Sequence, residues 1–173
     1  MLKNKHIRLV EASNENVDLL IKWTLDSNAQ GPYKSVPDMN EEALRALFLH
    51  NTDRQYYMIQ TIDGKPIGRF YYRKWRFTSD PHTIDWELNI IIADPDERGK
   101  GYGTDAQKLA ITHLQSLQHT NSIFAYTMNE NIGERKALEK CGFECVGDLN
   151  QVYYAIDLGV LRPEHFVLYI IKE

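Results

Sequence analysis

Arg98-Gly99-Lys100-Gly101-Tyr102-Gly103-Thr104 is the stretch on which the fold of this 173-residue chain turns. A β-like run from Ile84 to Ala93 precedes it, the turn Asp94-Pro95-Asp96 intervenes, and a helical pattern follows at once. Glycine lets the backbone approach an anion closely and take conformations closed to other residues. The first N–H groups of a helix have no internal acceptor and lie at the positive end of its dipole. A glycine-rich loop at the mouth of a helix therefore suits a diphosphate. Arg98, Gly99, Lys100, Gly101, Tyr102, Gly103 and Thr104 are its candidate ligands, mostly through backbone N–H groups. For Arg98 and Lys100 the alternative is solvated surface charge.

Two other phosphate loops do not fit. A Walker loop carries Lys-Ser/Thr after its last glycine, whereas Lys100 lies inside the glycine run. The dinucleotide fingerprint reads Gly-x-Gly-x-x-Gly, and this chain reads Gly-x-Gly-x-Gly-Thr.

Upstream, the strand alternates. Ile84, Trp86, Leu88, Ile90 and Ile92 share one face, and Asp85, Glu87, Asn89 and Ile91 share the other. Two carboxylates thus project side by side from the strand that ends at the loop. They either face a substrate or pair with cations on the preceding strand, where Arg69, Arg73, Lys74 and Arg76 are available.

The rest of the chain organises around this unit. Residues 6–10 alternate like a strand, and Ser13 is placed to cap a helix over residues 14–25. Residues 26–39, with Gly31, Pro32 and Pro37, read as a loop, and 40–49 as a short helix. Strands are expected at 55–62 and 67–77, joined by the hairpin turn Asp63-Gly64, and at 83–93 after the turn Ser79-Asp80-Pro81. Helices are expected from Gly101 to about Leu117 and over 132–140, the second stopped by Gly142. Residues 123–128 and 165–172 read as strands, and another restarts at Gly142-Phe143. This order predicts an α/β domain over residues 1–173, a mixed sheet covered by helices on both faces.

Composition narrows the function classes. Hydrophobic residues at 43% and charged residues at 25% are ordinary globular values. A net charge of −4 and a pI near 5.9 argue against nucleic-acid binding, which normally needs basic excess. No apolar run approaches the roughly twenty residues of a membrane span, and no secretory leader is evident. Cys141 and Cys145 have no partnering His-Cys cluster, so no metal site is expected, and they read as reduced cytoplasmic thiols.

The Arg98–Thr104 loop fits the pattern Arg/Gln-x-x-Gly-x-Gly and resembles the coenzyme A pyrophosphate loop of the GCN5-related N-acetyltransferase (GNAT) superfamily. The run Glu87 to Ala106 is similar to the branch containing ribosomal-protein N-terminal and spermidine acetyltransferases. Asn131 and Leu138-Glu139-Lys140-Cys141-Gly142-Phe143 resemble the superfamily's second helix and its Gly-Phe exit. The resemblance implies the GNAT fold, with a mostly antiparallel sheet, and acetyl-CoA as cosubstrate. It implies acetyl transfer to a primary amine: a protein N-terminus, a polyamine or an aminoglycoside-like small molecule. It further implies that Ile91, Ile92 and Ala93 offer main-chain groups to the pantetheine arm and that Asn131 helps hold the cofactor. Asn131 also reads as a helix N-cap.

Acetylation of an amine needs a proton acceptor, since amine pKa values lie near 8 to 10. Glu87 matches a glutamate of the resembled branch, and Asp85 matches an acidic residue of aminoglycoside 6′-N-acetyltransferases, so both are candidate catalytic residues. Two departures stand out. Leu138 replaces a tyrosine that in many members protonates the departing thiolate, and Glu134 replaces a serine common near the cofactor sulfur. Leu138 keeps open a second class of function, a non-catalytic acyl-CoA sensor or scaffold. A monomer or a homodimer is compatible with such a fold.

Overall fold

The computed structural model describes residues 2–75, 80–148 and 152–156. In chain order the elements are β1 (Leu2–Lys3), β2 (Ile7–Glu11), α1 (Val17–Leu25), α2 (Ser27–Gln30), α3 (Glu41–His50), β3 (Arg54–Thr61) and β4 (Pro66–Trp75). They continue with β5 (Ile84–Ile92), α4 (Tyr102–Gln115), β6 (Thr120–Thr127), α5 (Ile132–Lys140), β7 (Glu144–Asp148) and β8 (Val152–Ile156). The strands form one sheet in the order β1-β2-β3-β4-β5-β6-β8-β7. Every adjacent pair is antiparallel except β5 and β6. That parallel pair needs a crossover, and α4 supplies it.

Helices cover both faces, and strand alternation decides which residues meet which helix. Phe70, Trp86 and Leu88 turn toward α4 and pack with Ala106, Ala110 and Leu114. The opposite face presents Tyr56 and Met58, which pack with Val17, Leu20 and Ile21 of α1 and Leu44 and Phe48 of α3. Burying each of these large side chains contributes roughly 1.5–3 kcal/mol, so two cores hold the sheet between two helical layers.

The fold departs from the sequence reading in a few places. The first helix starts at Val17, not Asn14. The Ser13 carbonyl accepts the N–H groups of Asn16 (3.1 Å) and Val17 (2.9 Å), so Ser13 builds a turn before the helix instead of capping it. The 26–39 loop contains α2, a single turn capped by Asp26 and too short to leave a periodic signal. β1 and β8 are additions to the expected strands. The strand expected at 165–172, the far end of the 67–77 strand and Ser79 lie outside the described residues.

The sheet is not paired along its whole length. β5 and β6 share register only from Ile84↔Thr120 to Glu87↔Phe124. Beyond that point β5 continues along β4 as far as Gly68↔Ile92, while Ala125, Tyr126 and Thr127 of β6 pair with β8. The two strands therefore part after Glu87 and Phe124, leaving a gap that opens toward the glycine loop.

Candidate active site

The gap is lined by backbone on one side. The Ile90 carbonyl accepts from Lys34 Nζ at 3.2 Å, and the Ile92 carbonyl accepts from Arg98 Nε at 2.9 Å. Ile90 and Ile92 thus turn main-chain groups away from β4 and into the gap. Of the three residues expected there, only Ile92 does so. Ile91 pairs with Arg69 on β4, and its carbonyl lies where a Cβ on Gly68 would come within 2.1 Å. The Ala93 N–H is taken by the Ile67 carbonyl at 2.8 Å. Strand parity, which gives N–H and C=O of alternate residues to opposite sides, would have singled out Ile90.

At the end of the gap lies a groove of about 470 Å³ lined by Ile90, Ile91, Ile92, Gly99, Gly101, Gly103 and Thr104 from one side and by α5 from the other. Gly99 (φ 75°) and Gly101 (φ 88°) occupy the left-handed region, where a side chain is strained. No atom stands within 4 Å of the point where a Cβ of either would be, so the space over the loop is open. Among the described residues no side chain caps α4, and its first N–H groups point out of the helix without an intrahelical acceptor. A diphosphate fits this cradle.

The charged residues of the loop divide. Arg98 lines the groove, but its guanidinium also donates to the carbonyls of Asn28 (2.7 Å) and Ala29 (3.1 Å), clamping α2 to the end of β5. Lys100 pairs with Glu97 at 3.0 Å on the outer surface. Tyr102 packs against the α4 core, and Ala93 packs with Ala29. Lys136 and Lys140, one turn apart on α5, line the groove instead. Their i,i+4 spacing was readable in the sequence, but only the fold aims α5 at the loop.

Asn131 stands where this groove meets a second cavity and lines both. Its Oδ1 accepts the Glu134 N–H at 3.3 Å as the cap of α5, and its Nδ2 donates to Thr127 at 2.9 Å. Capping and lining coexist.

The second cavity, about 390 Å³, opens on the other side of Lys34, Tyr33 and Asn131. Its floor is the sheet face carrying Arg54, Tyr56, Arg69, Tyr71 and Asn89, and its wall is α3 with Leu44, Leu47 and Phe48. Asp85 and Glu87 lie on this face, yet neither lines the cavity. Asp85 is fully buried and accepts hydrogen bonds from Ser122 (2.6 Å) and Asn121 (2.9 Å), tying β5 to β6 just before they part. Glu87, also buried, accepts from Trp75 (2.7 Å) and Tyr71 (3.3 Å), with Arg73 at 4.0 Å. Of its described partners, Tyr71 is the one that lines the cavity.

Sequence reasoning missed Lys34. It sits in the Gly31–Pro37 loop, its Nζ donates to Asn89 Oδ1 and to the Ile90 carbonyl, and it lines both cavities at their junction. Burial, helped by the Arg69 charge, lowers its pKa from 10.5 to about 7. Glu134 lines the groove on the far side of the junction, with Gln107 donating to it at 2.7 Å. Burial raises the Glu134 pKa, against the opposing pull of Lys34. An amine whose pKa is lowered and a carboxyl whose pKa is raised face one space. Leu138 lies wholly within the core and does not line the groove. Cys141 is also tied inward, its thiol on the Thr104 carbonyl at 3.5 Å and pushed up to about 11 by burial.

Comparison with known proteins agrees with this geometry. No curated protein matches the chain. Among solved structures, an acetyltransferase of the GNAT family from Bacillus anthracis aligns with a TM-score of 0.72 at 18% identity, over 90% of this chain and 96% of that one. Spermidine N-acetyltransferase from Vibrio cholerae, in complex with CoA and spermine, aligns with a TM-score of 0.68 at 20% identity, over 88% and 94%. The aminoglycoside acetyltransferase AAC(6')-Ib, in complex with coenzyme A and kanamycin, aligns with a TM-score of 0.71 at 17% identity, over 94% and 98%. The model of the acetyltransferase (GNAT) domain matches residues 6–144, and the chain belongs to the GNAT family of acetyltransferases.

Proposed function

We propose that the protein transfers an acetyl group from acetyl-CoA to a primary amine by direct attack, with no covalent enzyme intermediate. The observation that carries this is the parting of β5 from β6 beside an uncapped helix N-terminus, with a second cavity opening on the same point. When bound, acetyl-CoA supplies an activated acetyl thioester. Gly99, Gly101, Gly103 and Thr104 hold the diphosphate, and Lys136 and Lys140 balance its charge. The main chain at Ile90 and Ile92 receives the pantetheine arm.

Lys34 stands where the amine must enter, and its neutral form takes the proton that a protonated amine has to lose. This reassigns the base from Glu87, whose carboxylate reaches the cavity only through the Tyr71 hydroxyl and serves to orient it. Asp85 anchors β5 to β6 at the origin of the gap. Glu134 lines the groove with its pKa raised by burial, and we assign it the delivery of a proton to the leaving thiolate. Spermidine and aminoglycoside acetyltransferases among the solved relatives support an amine acceptor.

The reading is tested by following thiol release from acetyl-CoA across a panel of primary amines. Release dependent on one class of amine supports it. Binding of acetyl-CoA without release for any amine would favour a non-catalytic acyl-CoA sensor.

A further inference from the structure

Among the described residues the charged side chains lining the acceptor cavity are all cations, and one of them has no partner. Arg69 is only 9% exposed, lies on the cavity floor, and its guanidinium makes no hydrogen bond or ion pair with any described residue. Its Nε is fully buried and unsatisfied. A guanidinium does not deprotonate in a protein, so the charge persists without compensation in a site that penalises it.

The surroundings do not relieve it. Beside Arg69 on the sheet are the rings of Tyr56 and Tyr71 and a second cation, Arg54, itself 5.4 Å over the Tyr71 ring and 3.4 Å from the Tyr56 hydroxyl. Lys34 lies at the cavity mouth. Among the described residues that line the cavity there is no Asp or Glu. The nearest acid on this sheet face, Glu87, is engaged by Trp75, Tyr71 and Arg73. Among the described residues, a polyamine or a polycationic sugar entering here would meet two arginines and no carboxylate on the cavity lining.

Building on the transferase reading above, we infer that the acceptor is a small amine that also carries a carboxylate, bound by Arg69 with Arg54 beside it. A planar guanidinium fork matches a carboxylate better than any other common donor set. The α3 wall of Leu44, Leu47 and Phe48 adds an apolar surface, so an amino acid with an apolar or aromatic side chain complements the cavity as a whole. Its volume suits one such molecule.

The experiment compares three acceptors of shared shape on the full chain: L-phenylalanine, L-phenylalaninamide and phenethylamine, with spermidine and kanamycin alongside. Thiol release is followed at pH 8.5, where Lys34 is neutral. The expected result is a kcat/KM for phenylalanine roughly 10- to 100-fold above that for its amide, the worth of a charge-assisted hydrogen bond. Arg69→Gln should abolish that ratio by raising KM for the carboxylate well beyond any change it makes in both acceptors through Lys34, and Arg69→Lys should restore part of it. Equal or better turnover of spermidine, kanamycin or the amide overturns the inference, as does an Arg69→Gln loss that falls on both partners alike. Calorimetric titration with phenylalanine separates this from the transferase reading. Binding that Arg69→Gln removes supports the carboxylate site even where no thiol is released, and absence of binding by a chain that still acetylates other amines overturns the site alone.

Discussion

Lys34 has an environment that sets a testable pH. Because its folded pKa is lowered to about 7 from 10.5, a base function predicts that kcat/KM climbs as pH rises through about 7 and levels above it. Lys34→Met should remove that limb, whereas Glu87→Gln should lower turnover and keep it. A limb lost in Glu87→Gln and kept in Lys34→Met would return the base to Glu87. The same shift bears on stability. Between about pH 7 and 10.5 the unfolded chain holds the Lys34 proton and the folded chain does not, so this residue's contribution to stability rises with pH across that window. Lys34→Met should therefore melt higher than the parent at pH 7, by a margin that narrows toward pH 10 in scanning calorimetry. None of this was legible in the sequence, where Lys34 is one lysine in a Pro-containing loop. Its significance comes from Asn89, Ile90 and Arg69, which are distant in the chain and brought to it only by the fold.

At the scale of elements, two contacts govern the gap. Gly68 on β4 is a position of close approach, since a Cβ there would lie 2.1 Å from the Ile91 carbonyl and 3.0 Å from the Ile92 Cα. Gly68→Ala should push β5 away from β4, costing about 1–3 kcal/mol by urea denaturation and weakening acetyl-CoA binding as well. Leu114 on α4 tests the packing without touching the gap. It is fully buried against the sheet, so Leu114→Ala should cost roughly 2–5 kcal/mol with cofactor affinity retained in the folded protein. The strand–loop–helix unit was legible because its signals are local: alternation in residues 84–92, a proline turn, a run of glycines and a 3.6-residue period. The roles of Ile91, Ala93 and Lys100 were not, because they depend on which strand edge is paired and on Glu97 reaching Lys100. α2 escaped for a different reason: a single helical turn carries no periodicity, and its Arg98 clamp is a contact 70 residues apart.

Over the whole molecule, the site proposed for acetyl-CoA draws on both layers of helices and on the sheet. The groove takes residues from the α2 flank, β5, the glycine loop and α5, so a ligand there would add contacts to those that already join these elements, such as the Arg98 clamp on α2. At a concentration 100-fold above its Kd, acetyl-CoA should add about 2.7 kcal/mol of stability. For a chain of this length that corresponds to a rise in Tm of about 5–10 °C. No shift at saturation would mean the ligand does not select the folded state. The measurement that bears most directly on the central claim is calorimetric titration of acetyl-CoA into the wild-type chain and into Gly101→Asp. The introduced carboxylate would meet no neighbouring atom, so the cost to the fold is the backbone strain of a side chain at φ 88°, while bulk and like charge meet the diphosphate. The account predicts one saturable site in the wild type and its loss in a variant that still unfolds cooperatively. Equal binding by both would contradict it.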